Sequence, residues 1–168
     1  MQKEYINKFT ESRKLQRKNM ATGKVLTLYM TLPDMLRSGY RQTCDNFECD
    51  PLGIQGDINY EVEGKNHILL VSQKSYELIN NADIHLDKGI LLENIYVDID
   101  LYHLKEGDII EIGDTLFKVD RHCETYGYLY TYAPEVPELI HGNRGLFVTP
   151  LEYGSIEVGS EVTVIESK

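Results

Sequence analysis

The sequence is poor in cysteine and has no long hydrophobic run. Three cysteines in 168 residues cannot all pair within one chain, so we expect free thiols in a reducing compartment. The longest aliphatic run, residues 68–71, is far shorter than the roughly 20 apolar residues of a membrane-spanning helix. No apolar secretory segment follows Met1. These absences predict a cytoplasmic protein without a membrane span.

Several common catalytic signatures are also missing. The chain has no Gly-rich Walker loop, no dinucleotide fingerprint, no Gly-x-Ser-x-Gly elbow and no His-Glu-x-x-His motif. Phosphate-loop enzymes, hydrolases with a nucleophile elbow and metalloproteases are therefore not supported. Composition is otherwise ordinary for a globular domain, with 42% hydrophobic and 26% charged residues.

Basic residues are scarce outside the N-terminus. Residues 1–24 hold seven basic and two acidic residues, so this segment carries +5 and residues 25–168 carry −15. An acidic body repels nucleic acid and anionic membrane, and we expect no nucleic-acid partner. We predict a basic N-terminal extension over 1–22, as a solvated tail or an arm for an anionic partner, and one domain over 23–168.

Short β-prone runs recur along that domain. Turn residues separate them every 8–12 residues or so, a pattern typical of barrels and sandwiches. We predict a mainly β, barrel-like fold with one or two short helices. The runs are 24–28, 67–71, 95–101, 109–112, 115–119, 128–132, 145–151 and 161–165.

Local signals predict three further features. Ser72 is an N-cap for a helix that ends at Asn80-Asn81, and residues 134–141 allow one or two helical turns. Gly113-Asp114 joins two strands, with Gly supplying the positive φ of a type II′ hairpin. Residues 33–56 read as an irregular loop, and a loop that long is often functional or mobile.

The three cysteines differ in their surroundings. Cys44 and Cys49 lie in the long loop, and without a second Cys pair or clustered histidines we interpret them as incidental thiols rather than a zinc site. Cys123 follows a predicted strand beside Arg121 and His122. A cation and an imidazole lower a thiol pKa, and the thiolate binds metal or sulfur. The alternative is an ordinary buried core cysteine.

Two polar dipeptides are further candidates. Arg144 lies between Gly142 and Gly145, where backbone N–H groups can approach an anion while the guanidinium pairs with phosphate or carboxylate. We expect Arg144 to be partly exposed. Glu93-Asn94 precedes a predicted strand and suits hydrogen bonding at a loop-to-strand corner. Each dipeptide also reads as a plain polar turn.

The order of these features resembles the MOSC domain, the module at the C-terminus of molybdenum cofactor sulfurases, and in particular its small stand-alone bacterial forms. The resemblance spans about residues 23–165. Its pieces are, in order, Gly53-x-x-Gly56-Asp57, Gly89 to Glu93-Asn94-Ile95, Leu104-x-x-Gly107-Asp108, Ile112-Gly113, Arg121-x-Cys123, Arg144-Gly145 with Phe147-Val148, and Gly154 to Gly159.

The resemblance implies a β-barrel-like domain that handles the molybdenum cofactor. Cys123 corresponds to the family cysteine that ligates molybdenum or carries a sulfane sulfur, and a soft thiolate suits either. Arg144-Gly145 would lie near the pterin phosphate, and Glu93-Asn94 corresponds to the family's Glu-Asn corner. The sequence departs from the family at Asn59, where the entry motif has His, at His122, where Pro is frequent, and at residues 65–67, which lack an Arg.

The implied function has alternatives in different classes. A bound cofactor would reduce N-oxygenated compounds or serve sulfur transfer and cofactor maturation. The chain has no flavin or iron–sulfur motif, so the implied partners are an electron-transfer reductase or a cysteine desulfurase. The alternatives are a non-catalytic carrier or scaffold for the cofactor, and a β-barrel interaction domain that has lost the site.

Overall fold

Most of the elements are short β-strands. The computed structural model describes residues 21–33, 41–64 and 68–165. Within these ranges the strands are β1 (Thr22–Met30), β2 (Gln42–Cys44), β3 (Asn46–Asp50), β4 (Gly53–Ile54), β5 (Ile68–Ser72), β6 (Ile95–Val97), β7 (Ile109–Ile112), β8 (Thr115–His122), β9 (Leu146–Pro150), β10 (Gly154–Glu157) and β11 (Glu161–Ile165). The helices are α1 (Gln73–Asn80), a 3₁₀ helix (Gly127–Thr131) and α2 (Val136–Leu139).

Seven strands close into a barrel. The order β11-β7-β8-β9-β5-β6-β1 is completed by antiparallel pairing of β1 with β11, in which Gly23 faces Val162. Closure leaves no free edge within the seven strands. The β5–β6 pair is parallel, whereas the other pairs of the barrel are antiparallel. The prediction of a mainly β, barrel-like fold with one or two short helices is confirmed.

Two hydrophobic clusters lie on opposite sides of the barrel wall. Alternate residues of β5, β6 and β9 point to opposite faces, as the two-residue strand period requires. Ile68, Leu70, Ile95, Val97 and Leu146 belong to the barrel interior. Leu69, Val71, Tyr96 and Phe147 belong to an outer cluster with Tyr76 and Ile79 of α1, Leu129 of the 3₁₀ helix and Val136 of α2. These three strands are therefore covered on both faces.

Several local predictions are confirmed. Ser72 caps α1 by accepting a hydrogen bond from the Lys74 N–H at 3.2 Å, and Asn81 is the C-cap. The hairpin β7–β8 turns at Gly113-Asp114, with φ of 58° at Gly113 and Ile112 facing Thr115. The single turn of α2 lies within the predicted 134–141 segment.

Two predicted strands are corrected. The run 95–101 forms a strand only over Ile95–Val97, and all three residues are buried. The apparent alternation did not mark a half-buried strand, because the two hydrophobic clusters cover both of its faces. Residues 128–132 form most of a 3₁₀ helix rather than a strand, with the backbone carbonyl of Tyr126 accepting the N–H of Leu129 at 3.1 Å.

The segment expected to be an irregular loop contains strands β2, β3 and β4. Strand β2 extends the β1 edge, and β3 and β4 form a small second sheet with β10. In β3 the buried Phe47 and Cys49 alternate with the exposed Asn46 and Glu48. This is the two-residue alternation of a strand, although the surrounding sequence is mostly polar. Residues 34–40 lie outside the described part of the chain.

Other predictions fall on residues that the structure does not describe. Residues 1–20, which make up most of the predicted basic extension, and the family departure at residues 65–67 are outside the described ranges, so the domain division at residue 22 stays a prediction. Among the residues described, no helix has the length and apolar character needed to cross a membrane.

Candidate functional site

A small cavity lies where β5 and β9 meet the segments that precede β2, β6 and the 3₁₀ helix and the turn that follows β4. Its volume is about 120 Å³. The polar part of its lining is Arg41, Asn59, Asn94 and Arg144, and aromatic side chains of Tyr126 and Phe147 close another part. The cavity therefore combines two guanidinium groups with two amides and an aromatic wall. Of the predicted site residues, Arg144 and Asn94 line it.

Arg144 is a buried cation with unused donors. Only 1% of the residue is exposed, which corrects the expectation that it is partly exposed. Its Nη2 donates to the Tyr128 hydroxyl at 2.9 Å. Neither Nε nor Nη1 has a hydrogen-bond partner among the residues that the structure describes. An unpaired buried cation is costly, so these two donors favour an anion in the adjoining cavity.

Tyr128 holds this guanidinium in place. Its hydroxyl donates to the Ile90 carbonyl at 3.1 Å and accepts from Arg144. Burial raises the pKa of Tyr128 to about 12, although Arg144 lowers it, so the phenol stays protonated at neutral pH. The phenol thus connects the loop before β6 to the residue that lines the cavity.

Gly145 is required by close packing. Its φ is 150°, and a Cβ there would lie 2.9 Å from Leu69 Cδ1 and 3.1 Å from the Leu70 carbonyl oxygen. The absence of a side chain therefore lets the chain after Arg144 lie against β5. The Gly145 carbonyl also accepts the Cys123 N–H at 2.8 Å. A contact between Gly145 and a bound anion stays a prediction.

Cys123 follows β8 and lies behind the cavity wall. Its exposed fraction is 4%, and it belongs to the outer cluster with Leu69 and Phe147. Its Sγ donates weakly to the Glu124 carbonyl at 3.4 Å. The residues that line the cavity include Tyr126 and Arg144 but not Cys123 itself. The thiol is thus beside the cavity without opening into it.

The predicted lowering of the Cys123 thiol pKa is wrong in net direction. Burial raises this pKa, and the nearby Arg144 and Arg121 offset only part of the rise. The guanidinium of Arg121 lies 4.6 Å from the Phe147 ring centroid. The imidazole of His122 hydrogen-bonds the Leu104 carbonyl at 2.8 Å. Sequence adjacency did not reveal that these two side chains have other partners.

Glu93 supports the loop before β6. It is fully buried, and its Oε1 accepts from the Tyr76 hydroxyl at 2.7 Å and from the Gly89 N–H at 2.8 Å. Its Oε2 has no hydrogen-bond partner in the described part of the chain. The Glu93 backbone carbonyl accepts from Arg41 Nη1 at 3.4 Å. Glu93 therefore positions the loop and one cavity arginine.

Asn94 joins two barrel strands. Its Oδ1 accepts the Leu69 N–H at 3.0 Å, and its Nδ2 donates to the Tyr29 carbonyl at 3.2 Å. These bonds connect β5 to β1 at the place where β6 begins. Asn94 thus makes the hydrogen bonds predicted for a loop-to-strand corner, and both of its partners are backbone groups. A direct contact of Asn94 with a cofactor stays a prediction.

Sequence reasoning missed Arg41 and Tyr126 as cavity residues. Arg41 is half-buried, and burial lowers its pKa while the nearby Asp57 and Glu93 raise it. Asp57 accepts the Thr31 N–H and the Asn59 N–H, both at 2.8 Å. This turn brings Asn59 to the cavity, so the entry motif Gly53-x-x-Gly56-Asp57 was the one available signal. Nothing local marked Arg41 or Tyr126.

The other two cysteines lie elsewhere. Cys44 is half-buried in β2, and Cys49 is buried in β3 of the small sheet, in the same hydrophobic cluster as the barrel interior, and burial raises its thiol pKa to about 12. Across residues 21–33, 41–64 and 68–165, no three His, Cys, Asp or Glu side chains are grouped closely enough to hold a metal ion.

Comparison with solved structures identifies the fold. The YuaD protein from Bacillus subtilis is similar, with a TM-score of 0.74, 18% identity, and coverage of 89% of this chain and 99% of that chain. YiiM from Geobacillus stearothermophilus has a TM-score of 0.65, 16% identity, and coverage of 86% and 75%. YiiM from Escherichia coli has a TM-score of 0.59, 15% identity, and coverage of 86% and 71%.

The fold is a MOSC-type β-barrel, as the likeness to YiiM shows. No protein-family model matches the chain. A search of curated proteins finds no match. Sequence identities below 20% support a shared fold only, so function must be argued from the residues of the site.

Proposed function

We propose that this MOSC-type barrel binds the molybdenum cofactor at the Arg144 cavity, with Cys123 as the protein ligand of molybdenum. The observation that carries the proposal is the buried guanidinium of Arg144, which has two unpaired donors beside a cavity. Cys123 is tied to the same backbone by its hydrogen bond to the Gly145 carbonyl. The proposed anion site and the thiol are thus connected through the backbone at Gly145, although the thiol does not line the cavity.

The donor set fits the phosphate of such a cofactor. Guanidinium groups make paired, charge-assisted hydrogen bonds to phosphate, and Arg41 brings a second cation to the cavity. The volume of about 120 Å³ suits a phosphate-sized group and is below the roughly 300 Å³ at which pockets for whole small molecules begin. The cavity would therefore hold the anionic end of the cofactor.

The residues of this chain would then have distinct roles. Arg144 and Arg41 bind the anionic end, and Tyr128 orients Arg144. Glu93 and Asn94 hold the loop and the strands that frame the cavity. Cys123 would hold the metal as a thiolate, the charged form that the nearby positive charge of Arg144 favours. When bound, the cofactor supplies two-electron redox chemistry at molybdenum.

Burial of Cys123 favours holding a cofactor over free sulfur transfer. A sulfur acceptor must reach a donor persulfide as an exposed thiolate. Cys123 is 4% exposed, and burial raises its pKa. Reduction of N-oxygenated compounds with a partner reductase, and storage of the cofactor, both require a held cofactor. A cysteine desulfurase is the less suitable partner for this thiol.

The test is the metal and pterin content of the purified protein. Protein from cells that make molybdenum cofactor is assayed for molybdenum by mass spectrometry and for pterin by fluorescence after oxidation. We expect near-stoichiometric molybdenum in the wild type and a loss of about tenfold or more in Cys123→Ser, because one soft ligand is removed. The matched control Cys44→Ser, a thiol outside the site, should retain wild-type content.

Two outcomes would contradict the proposal. Equal molybdenum in Cys123→Ser and in the wild type would remove Cys123 from the site. Absence of both molybdenum and pterin from the wild type would favour an interaction domain that has lost the site.

A further inference from the structure

We propose that Leu92 is a specificity-determining residue of the Arg144 cavity, where its side chain and that of Tyr126 contact the apolar part of an anionic ligand. The site then prefers an anion that carries an apolar group, such as an organic phosphate, over a bare inorganic anion. The inference deepens the proposed function and rests on it for the anion site at Arg144. It concerns a leucine that the sequence patterns did not mark.

The lining of the cavity changes from polar to apolar between its most buried and its most exposed residues. Arg144 and Asn94 are almost fully buried, whereas Leu92 and Tyr126 are 37% and 41% exposed. Arg144 Nε and Nη1 lack a partner in the described ranges, so we expect a bound anion at the buried end. The exposed residues mark the side that meets solvent. A group attached to the anion would therefore lie against Leu92 and Tyr126.

The backbone of Leu92 is left-handed, with φ of 63°. A leucine is costly in that region because its Cβ comes close to the following carbonyl oxygen, and glycine or asparagine is the ordinary residue there. Glu61 and Asp83 also have positive φ, and both are polar residues exposed at the surface. Leu92 differs from them because it is apolar and lines the cavity. Backbone strain of this kind is concentrated at functional sites, which favours a role for the leucine side chain in binding.

The turn that holds Leu92 is fixed by its neighbours. The Leu92 N–H donates to the Gly89 carbonyl at 2.9 Å, and the Gly89 N–H donates to Glu93 Oε1 at 2.8 Å. Leu91 and Glu93, the residues on either side, are both fully buried, and Leu91 belongs to the outer cluster. These contacts set the backbone of the turn. A substitution at residue 92 therefore changes the lining of the cavity while the turn is kept.

The test compares two phosphate probes on protein from cells that cannot make molybdenum cofactor. NMR chemical-shift titration gives the Kd of inorganic phosphate and of phenyl phosphate for each variant. We expect the wild type to bind phenyl phosphate about tenfold more tightly, because the ring removes apolar surface of Leu92 and Tyr126 from water. Arg144→Met should abolish binding of both probes, because it removes the donors of the anion site.

Substitutions at Leu92 separate the apolar contact from the backbone strain. Leu92→Asn is similar in size and suits a positive φ, so the preference for phenyl phosphate should fall to about twofold while the thermal midpoint stays at or above that of the wild type. Leu92→Met keeps an apolar side chain on the same backbone and should keep the preference. Leu151→Asn is the matched control, since Leu151 is exposed and lies outside the lining of the cavity, and it should also keep the preference.

Several outcomes would overturn the role of Leu92. They are equal Kd values of the two probes in the wild type, binding of neither probe, and an unchanged preference in Leu92→Asn. A thermal midpoint of Leu92→Asn well below that of the wild type would show that Leu92 is a structural residue. Binding of both probes by Arg144→Met with wild-type affinity would place them outside the cavity and would also overturn the inference.

The probe titration and the molybdenum assay fail separately. Wild-type protein that acquires molybdenum but binds the two probes equally would keep the proposed function and overturn the role of Leu92. A preference for phenyl phosphate that depends on Leu92, in a protein that never acquires molybdenum, would contradict the cofactor and keep the role of Leu92.

Discussion

At the scale of single residues, the site is made of groups that the fold leaves unsatisfied. Most buried polar groups in a protein have hydrogen-bond partners. Here Glu93 Oε2 and two nitrogens of Arg144 lack partners within the described residues, and Arg144 lines the cavity together with Asn94, the neighbour of Glu93 in the chain. Residues selected for stability alone would not keep such groups, and these exceptions are the reason for choosing this cavity as the candidate site.

Replacement of Arg144 by Met should raise stability and abolish anion binding. Arg144→Met keeps the length of the side chain while removing a buried charge with unpaired donors, so we expect the ligand-free protein to gain about 1–3 kcal/mol in free energy of unfolding. Urea denaturation measures the gain. Molybdenum and pterin content should fall to background in the same variant.

Arg121→Met is the matched control. Arg121 is exposed and lies over the Phe147 ring, so its loss should change stability by less than about 1 kcal/mol, in the unfavourable direction. A loss of stability in Arg144→Met of the size that a core truncation causes would show that Arg144 is a structural residue.

At the scale of elements, three strands of the barrel are covered by hydrophobic residues on both of their faces. The helices α1 and α2 and the 3₁₀ helix pack over β5, β6 and β9, so these strands are buried on both sides. Helix α1 begins directly after β5, at a capping serine that is itself buried. Its start is therefore fixed relative to the cavity wall.

The cap at Ser72 should contribute about 1 kcal/mol to stability. Ser72→Ala removes the acceptor for the Lys74 N–H, and loss of such a cap is worth about 0.5–2 kcal/mol. The control Glu77→Ala breaks only an exposed pair with Gln73 and should stay within about 0.5 kcal/mol of the wild type. Thermal and urea unfolding of both variants measure the difference, and equal values would show that the cap contributes nothing.

At the scale of the whole molecule, the small sheet β10-β3-β4 joins the barrel through tight contacts. A Cβ at Gly154 would lie 1.8 Å from Thr115 Oγ1 and 2.8 Å from Thr115 Cβ. Gly154 begins β10, and Thr115 begins β8 of the barrel. The two sheets therefore approach each other at a place where any side chain would collide.

Gly154→Ala should loosen this junction. Overpacking of this kind is worth about 1–3 kcal/mol of destabilisation. Gly127→Ala, where the added methyl group meets nothing, is the control and should be neutral within about 1 kcal/mol. The free energy of unfolding distinguishes them, and equal stability of the two variants would mean that the junction adjusts without strain.

Much of the architecture was readable from local patterns. Hydrophobic period, the Ser72 cap and the Gly113 turn act over a few residues, so they predicted the barrel strands, α1 and the β7–β8 hairpin. The ordered motifs predicted the MOSC-type fold. The failures at 95–101 and 128–132 have different causes. Ile95–Val97 is buried on both faces, whereas Tyr128 and Tyr132 pack edge to face within a 3₁₀ turn.

The mainly β barrel, its turns and the order of its motifs follow from local sequence, because they depend on neighbours along the chain. The burial of Arg144 with unused donors, the position of Arg41 and Tyr126 beside it, and the raised pKa of Cys123 follow from long-range packing. Burial and electrostatic environment are set by residues distant in sequence, and spacing along the chain carries no record of which side chains will cover a given group.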